Sequence, residues 1–247
     1  MKYIKVYQKF FIMIGLMSCF YACQKDNYAP PSTKFTGRVV YQGTPLGLKN
    51  NNGGTVYFEL WQSGFGKSGA INVFFNQDGS FSALLFNGNY KMVIPTSQGP
   101  FMSIENPDTH SDTIPLVLNG DKTMDIEVTP YYMIDDAKFS IGSDSVVKAT
   151  CSVKKIITDA NAKDIEYVAL YVNRTNFVDD NNNVVRSAIN GGDITDMSNL
   201  SFTGKIPTDI ANANIGIAGQ NYFYARIGLK IVGVDDMIFS DVVKVSL

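Results

Sequence analysis

Residues 56–62 read VYFELWQ, and apolar side chains recur at every second position of this stretch. The two alternating sets are Val56, Phe58 and Leu60 on one side and Tyr57, Glu59 and Trp61 on the other. A period of two residues predicts a β-strand with one face in a core. Residues 71–76, INVFFN, repeat the pattern with Ile71, Val73 and Phe75 as the inward set.

Turn signals separate these strand patterns. They are the pairs Asn52-Gly53, Asp78-Gly79, Asn87-Gly88 and Asn119-Gly120. Such pairs supply the positive φ of tight hairpin turns at little cost. No long helical period is present, and the best helical candidate, residues 208–218, contains Gly216 and several Asn, so it predicts one short turn at most. The fold class predicted is all-β.

A boundary near Pro130 divides the chain into two halves of the size of a small sandwich. Residues 123–129 read as the last strand of the first half. The strands predicted for the second half are 137–141, 145–156, 165–172, 200–206, 222–231 and 240–247. We therefore expect two β-sandwich domains in tandem, at residues 34–130 and 131–247.

The first 22 residues have the character of a targeting segment. Lys2, Lys5 and Lys9 give a positive start, and residues 10–22 carry no charge before polar residues 24–27. Because the apolar run is shorter than the roughly 20 residues that cross a membrane, it predicts a secretory signal peptide.

Charge and composition exclude several classes of function. The chain has 21 Lys and Arg against 23 Asp and Glu, and the three lysines of the signal peptide leave with it. The remaining acidic chain offers no basic surface for nucleic acid. Aromatic and apolar residues are frequent enough to exclude general disorder.

Motifs for catalysis and cofactors are sparse. Residues 64–69, GFGKSG, match a dinucleotide fingerprint, but strand-like residues 71–75 follow where that motif needs a helix. His110 is the single histidine, and its sequence neighbours Ser111 and Asp112 cannot fold back into a triad. No cofactor is predicted, and a glycosidase carboxylate pair stays open because its spacing is set in three dimensions.

One loop resembles the start of a calcium site. Asp179, Asn181 and Asn183 have the alternate spacing of the first three ligands. Val184 stands where the glycine of such a loop is expected, and Asn190 where the bidentate Glu belongs. An Asx-rich turn explains the pattern better than a metal site.

The outward face of the first strand gives the hint of a ligand. Tyr57, Glu59 and Trp61 present a phenol, a carboxylate and an indole on one face, which suits a sugar ring, and loop residue Phe65 is a further candidate. The alternative is that these aromatics cover the neighbouring domain or pair across strands.

Ala22 directly before Cys23 resembles the lipobox of bacterial lipoproteins. The resemblance implies removal of residues 1–22 and lipidation of Cys23, with residues 23–33 as an extended tether between lipid and fold. Cys151 then has no partner for an intramolecular disulfide, and its alternation with apolar neighbours indicates a buried strand cysteine.

Residues 37–39, 43–46, 78–81 and 88–92, which read GRV, GTPL, DGSF and GNYKM, resemble the prealbumin-like, carboxypeptidase-regulatory type of sandwich. In that arrangement Tyr90 packs inward with Met92 and Ile94. In the second half, residues 224–229, YARIGL, then Gly233 and residues 240–243, SDVV, resemble the last two strands of a fibronectin type III fold, related to the immunoglobulin type.

The order of lipobox, prealbumin-like domain and fibronectin-like domain is similar to a Bacteroidetes outer-membrane lipoprotein family of unknown function, with residues 128–131, VTPY, as its sharpest motif. The resemblance implies a polysaccharide-utilisation system. The implied partners are the outer membrane, a polysaccharide or oligosaccharide, and a co-encoded outer-membrane transporter with its glycan-capturing lipoprotein.

These observations favour a non-enzymatic lipoprotein of the outer membrane that binds or supports glycans, displayed on the cell surface or, alternatively, on the periplasmic face. A second hypothesis is an adhesin or fimbria-like assembly protein that binds other proteins through exposed strand edges. A third is a glycan-active enzyme, which needs a cleft with paired carboxylates.

Overall fold

The computed structural model describes residues 29–49, 56–64, 69–96, 98–106, 108–216 and 219–247. Strands dominate this part of the chain and form several sheets in two domains, which confirms the all-β prediction. The predicted signal peptide at residues 1–22, the predicted lipidation site Cys23 and the candidate ligand residue Phe65 lie outside the described residues. Within the described ranges, no helix is both long and apolar enough to cross a membrane.

The first domain has two sheets. Its strands are β1 (Thr33–Tyr41), β2 (Thr44–Pro45), β3 (Tyr57–Gln62), β4 (Ala70–Phe74), β5 (Ser80–Leu85), β6 (Gly88–Val93), β7 (Phe101–Ser103), β8 (Ile114–Leu118), β9 (Lys122–Thr123) and β10 (Ile126–Pro130). One sheet has the order β2-β1-β10-β7, with β5 and β9 also paired to β1. The other has the order β4-β3-β6-β8, so β3 and β6 are its central strands.

Aromatic rings join the two sheets of the first domain. Phe35 on β1 meets Phe58 on β3 with ring centroids 6.2 Å apart, and Phe58 packs edge-to-face on Phe81 at 4.9 Å. The inward set of β3 is therefore buried, as its period of two predicts. On the edge strand β4, Val73 is buried but Ile71 is 40% exposed, since no further strand covers that end.

The turn before β5 shows why glycine is required there. Gly79 has φ +75°, and a Cβ on it would lie 2.5 Å from the carbonyl oxygen of Leu46. Its N–H donates to the Asn76 carbonyl, and its own carbonyl accepts from Val39 N–H at 2.9 Å. The Asp78-Gly79 signal thus closes a turn that packs against the neighbouring loop.

The second domain pairs a three-stranded sheet with a five-stranded one. Its strands are β11 (Tyr132–Ile141), β12 (Val146–Lys155), β13 (Ile165–Asn173), β14 (Val185–Asn190), β15 (Leu200–Lys205), β16 (Tyr222–Ile231), β17 (Met237–Phe239) and β18 (Val243–Ser246). The sheets have the orders β11-β12-β15 and β14-β13-β16-β17, with β18 also on β16. Strands β14 and β17 were not predicted, because the first is largely polar and the second is three residues long without alternation.

The sequence predicted at most one short helical turn within residues 208–218, and the helix observed there is longer. Residues Thr208–Gly216 form a nine-residue helix, α1, and a 3₁₀ turn spans Gly191–Asp193. Ala211 is 4% exposed and donates its N–H to the Pro207 carbonyl, and Ile210 packs on the apolar core. Contact with the core therefore stabilises a helix that local propensity disfavours.

A continuous apolar cluster contains residues of both domains, from Phe35 to Val245. Thr33–Leu247 accordingly form one compact unit. Tyr90, Met92 and Ile94 are all buried, as expected for inward residues of β6 and its end. The two domains therefore pack directly against each other through shared apolar contacts.

Candidate functional site

The outer face of β3 holds an indole fixed by a carboxylate. Phe58 and Leu60 point into the core, so Glu59 and Trp61 lie on the opposite face. The Trp61 Nε1–H donates to Glu59 Oε2 at 2.8 Å. The side chain of Trp61, the single tryptophan of the chain, is 38% exposed. The hydrogen bond orients the ring, and more than a third of the residue stays accessible to solvent.

A groove of about 460 Å³ runs from Trp61 across two neighbouring strands. Strand register places Trp61 directly opposite Lys91 on β6, and Lys91 opposite Pro115 on β8. Asn89 and Val117 form the next cross-strand pair and also line the groove. Directly opposed side chains share a face of the sheet, so these four residues and the indole form one surface.

Tyr57 is not part of this groove. Its hydroxyl accepts a hydrogen bond from Gln98 Nε2 at 2.9 Å, and its ring packs against Phe74 with centroids 5.3 Å apart. The Gln98 carbonyl in turn accepts from the Asp236 N–H of the second domain at 3.0 Å. Tyr57 therefore pairs across strands beside the domain contact, while Trp61 lines the groove and is hydrogen-bonded to Glu59.

The groove residues on β6 and β8 were missed by sequence reasoning. A signal for them exists, since Asn89 and Lys91 alternate with buried Tyr90 and Met92 and must face away from the core. Their pairing with β3 is not visible in the sequence, because register between strands that are distant in the chain depends on the whole sheet.

The groove combines apolar surface with hydrogen-bonding groups. The indole, Pro115 and Val117 are apolar, and Lys91 and Asn89 supply an ammonium group and an amide. The Glu59 carboxylate is not part of the lining but accepts the hydrogen bond from the indole N–H. A pyranose ring has an apolar face that stacks on aromatic surface and hydroxyl groups at its edge that need donors and acceptors. The arrangement fits such a ligand without any covalent chemistry.

The calcium-like loop lies at the contact between the two domains. The Asp179 side chain is 1% exposed and accepts from the N–H groups of Asn181 and Asn182 at 2.8 Å each. The next residue, Asp180, pairs with Lys49 of the first domain at 2.8 Å. Asn183 donates its side-chain amide to the Asp179 carbonyl. The contacts of Asp179 form an Asx turn, and the ion pair of the adjacent Asp180 links the two domains.

Groups suited to metal or nucleophilic chemistry are not assembled in the part of the chain that is described. No three or more His, Cys, Asp or Glu residues come close enough there to hold a metal ion. Cys151 is buried, and burial raises the pKa of its thiol to about 12. His110 lies exposed in the loop before β8, and its backbone N–H donates to the Asn106 carbonyl.

The domain contact is built around a buried arginine. Arg226 on β16 is fully buried, and its guanidinium donates to the carbonyls of Leu48 and Gln77 in the first domain, at 3.1 and 3.5 Å. It also donates to the carbonyls of Val178 and Ser240 in its own domain and lies 4.2 Å from the Phe239 ring centroid.

Burial lowers the pKa of Arg226 to about 9, and the negative charges of Asp179, Asp241 and Asp236 act in the opposite direction. The group therefore stays charged at neutral pH. A charged guanidinium donates more strongly to carbonyl oxygens than a neutral amide does. One side chain thus joins backbone segments of both domains.

Comparison with known families and structures gives a consistent result. The family described as "Protein of unknown function (DUF3823) N-terminal domain" matches residues 33–129, and "Domain of unknown function (DUF3823_C)" matches residues 132–244. No curated protein matches the chain.

Solved structures of that family resemble this chain over 88% of its length and the whole of theirs. A DUF3823 family protein from Parabacteroides merdae is 33% identical with a TM-score of 0.72, and one from Bacteroides ovatus is 28% identical with a TM-score of 0.71. A candidate carbohydrate-binding protein from Bacteroides uniformis, 17% identical with a TM-score of 0.63, covers the same 88% of this chain and all of its own, and it shows a shared fold alone.

Proposed function

We propose that this protein, which belongs to the DUF3823 family, is a non-enzymatic surface lipoprotein that binds a glycan through the groove beside Trp61. The lipoprotein part of the proposal comes from the sequence, where the signal-like residues 1–22 precede Cys23. The glycan part comes from the geometry of the groove.

The observation that carries the proposal is the fixed, half-open indole. A surface tryptophan normally loses side-chain freedom when it binds a ligand, and that loss weakens binding. Here the 2.8 Å hydrogen bond to Glu59 already holds the ring. A planar apolar surface that is pre-oriented beside a carboxylate and Lys91 matches the stacking face and the hydroxyl edge of a sugar.

The overall charge argues against a strongly acidic ligand, and one structural neighbour points to carbohydrate. The chain is slightly acidic, so an acidic polymer such as nucleic acid is disfavoured. The Bacteroides uniformis protein that shares this fold is described as a candidate carbohydrate-binding protein. We further propose that the protein sits on the outer membrane through its lipid and works with a co-encoded transporter and its glycan-capturing lipoprotein.

A protein-binding role is the second candidate, and the edge strand β4 favours it. Ile71 is 40% and Phe74 is 39% exposed on this strand, which has no neighbour on its outer side within the described sheet. Exposed apolar side chains on a free edge can pair with a strand of another chain. An adhesin or assembly subunit would use this edge, and not the groove.

The deciding experiment measures binding of the purified protein to an array of xylan, starch, pectin, arabinogalactan, chondroitin sulfate and mucin glycans. Trp61→Ala is tested in parallel, with Phe177→Ala as the matched control, since Phe177 is also a large aromatic side chain, 48% exposed, but lies in the second domain. We expect Trp61→Ala to weaken binding at least about ten-fold, about 1.4 kcal/mol, and Phe177→Ala to leave it unchanged.

Three results would contradict the proposal. If no glycan binds while thermal unfolding shows an intact fold, the protein-binding role becomes the better-supported function. If the bound glycan is cleaved, as seen by new reducing ends, the protein is an enzyme. If the Trp61→Ala variant bound as tightly as the unmodified protein, the groove would not be the glycan-binding site.

A further inference from the structure

A second cavity of about 390 Å³ lies where the two domains meet. Phe101, Glu105 and Asp112 line it from the first domain, Asn161 and Lys163 from the second, and Tyr131 stands at the join. It is more enclosed by the chain than the groove beside Trp61, and its lining is more polar. Neither domain forms this cavity alone.

The walls of this cleft are held by hydrogen bonds. The Tyr131 N–H donates to the Pro100 carbonyl at 3.0 Å, and the Tyr131 carbonyl accepts from Ile156 N–H at 2.9 Å. The loop that carries Lys163 is fixed because the Lys163 carbonyl accepts from the Tyr132 hydroxyl at 2.8 Å. The cleft is therefore preformed, which lowers the entropy cost of binding.

Charged and polar side chains of both domains line the cleft. The Lys163 Nζ lies 5.8 Å from the centroid of the Tyr131 ring. Within the described residues, Lys163, Glu105 and Asp112 form no ion pair. Carboxylates on one wall accept from hydroxyl groups, while an ammonium group and the Asn161 amide on the other wall donate, so the cleft suits a polyhydroxylated ligand.

The same two segments of the chain line both cavities. Lys91 of β6 lines the groove, and Pro95, two residues beyond the end of that strand, lines the cleft. Pro115 of β8 lines the groove, and Asp112, two residues before that strand begins, lines the cleft. Four residues of extended chain span roughly 13 Å, a distance that a linear polymer can cover.

We propose that the cleft between the domains is a second saccharide site and that one glycan chain occupies it together with the groove. This inference rests on the proposed function. The substrate class is then an extended polysaccharide segment, not a monosaccharide or disaccharide. Because the second contact is made within one complex, the longer ligand gains affinity from the high effective concentration at the second site.

The test uses the polysaccharide that the array identifies, cut and separated by size from disaccharide to decasaccharide. Binding is followed by the fluorescence of Trp61, the single tryptophan of the chain. The cleft variant is Lys163→Gln with Asp112→Asn. The matched control is Lys154→Gln with Asp135→Asn, which changes two exposed residues on strands β12 and β11 of the second domain, outside the cleft lining.

In the unmodified protein, we expect affinity to rise at least about ten-fold from the shortest binding fragment to the longest. The cleft variant should bind the short fragment as the unmodified protein does but lose most of the gain with length, while the control keeps it. If the cleft variant keeps the full gain, or if affinity does not depend on length, the second site is refuted and the groove proposal stands. If no glycan binds the unmodified protein, both are refuted.

Discussion

Trp61 and Arg226 lie on central strands of their sheets and both point away from the core of their own domain, yet their surroundings differ completely. Trp61 on β3 is 38% exposed beside an open groove, whereas Arg226 on β16 is fully buried under the first domain. The comparison shows that strand alternation assigns a side chain to a face, and that the second domain decides whether that face is a binding surface or a structural contact.

The largest effect is expected at the buried arginine. Arg226→Ala removes hydrogen bonds to four carbonyls, among them Leu48 and Gln77, and leaves a cavity beside Phe239. We expect a loss of about 3–5 kcal/mol in the free energy of unfolding, measured by urea denaturation. Arg226→Lys should recover only part of this loss, since an ammonium group has fewer donors in a different geometry.

The matched control is Arg38→Ala, because Arg38 also carries a guanidinium but pairs with Asp125 at the surface. Its urea midpoint should stay close to that of the unmodified protein. If Arg226→Ala were no more destabilising than Arg38→Ala, the domain contact would not depend on the buried guanidinium and the contrast with Trp61 would fail.

A smaller effect is expected from one added methyl group at the domain contact. A Cβ on Gly47 would lie 2.2 Å from the carbonyl oxygen of Phe239, whose N–H donates to the Gly47 carbonyl across the domains at 2.9 Å. Gly47→Ala must therefore move backbone, at about 1–3 kcal/mol in unfolding free energy. Gly69→Ala is the control, since a Cβ there meets nothing within 4 Å.

The Gly47→Ala variant also separates the two regions by function. Its effect should appear in urea denaturation and in the length-dependent part of glycan binding, because the cleft needs both domains in place. Binding of a short fragment beside Trp61 should be unaffected. A loss of short-fragment binding with the fold intact would mean that the groove itself depends on the domain contact.

The smallest effect is expected at the carboxylate that holds the indole. Glu59→Gln keeps an oxygen that can accept from Trp61 Nε1 but removes the charge, so the hydrogen bond is weaker. We expect glycan affinity to fall a few-fold, less than for Trp61→Ala, in a titration of tryptophan fluorescence. Glu166→Gln, an exposed glutamate of β13, should change nothing. An increase in affinity would contradict a positioning role for Glu59.

Local patterns predicted a large part of the architecture. The period of two in residues 56–62 placed Phe58 in the core and Trp61 outside, and the Asp78-Gly79 pair marked a turn with positive φ at Gly79. These predictions succeed because strand alternation and turn geometry depend on neighbours in the sequence. Helix α1 was underestimated because the packing of Ala211 on the core, and not local propensity, stabilises it.

The candidate site was only partly visible in the same patterns. Tyr57, Glu59 and Trp61 were grouped by alternation, but in the structure Tyr57 contacts Gln98, and Trp61 lines the groove with Glu59 as its hydrogen-bond partner. Lys91 joins them through cross-strand register with a segment thirty residues away. Register between distant segments is a property of the assembled sheet, so no local signal reveals it.

The sequence by itself determined that the chain forms strands, where most of them turn, and which face of each strand is apolar, because these properties follow from backbone sterics and residue spacing. The tertiary structure alone decided which outward faces are covered. No local pattern showed that Arg226 is buried at the domain contact, or that Asp180, next to the Asx turn at Asp179, pairs with Lys49 of the first domain. The physical reason is that desolvation and pairing of polar groups depend on partners more than a hundred residues apart, which meet only when both domains are folded.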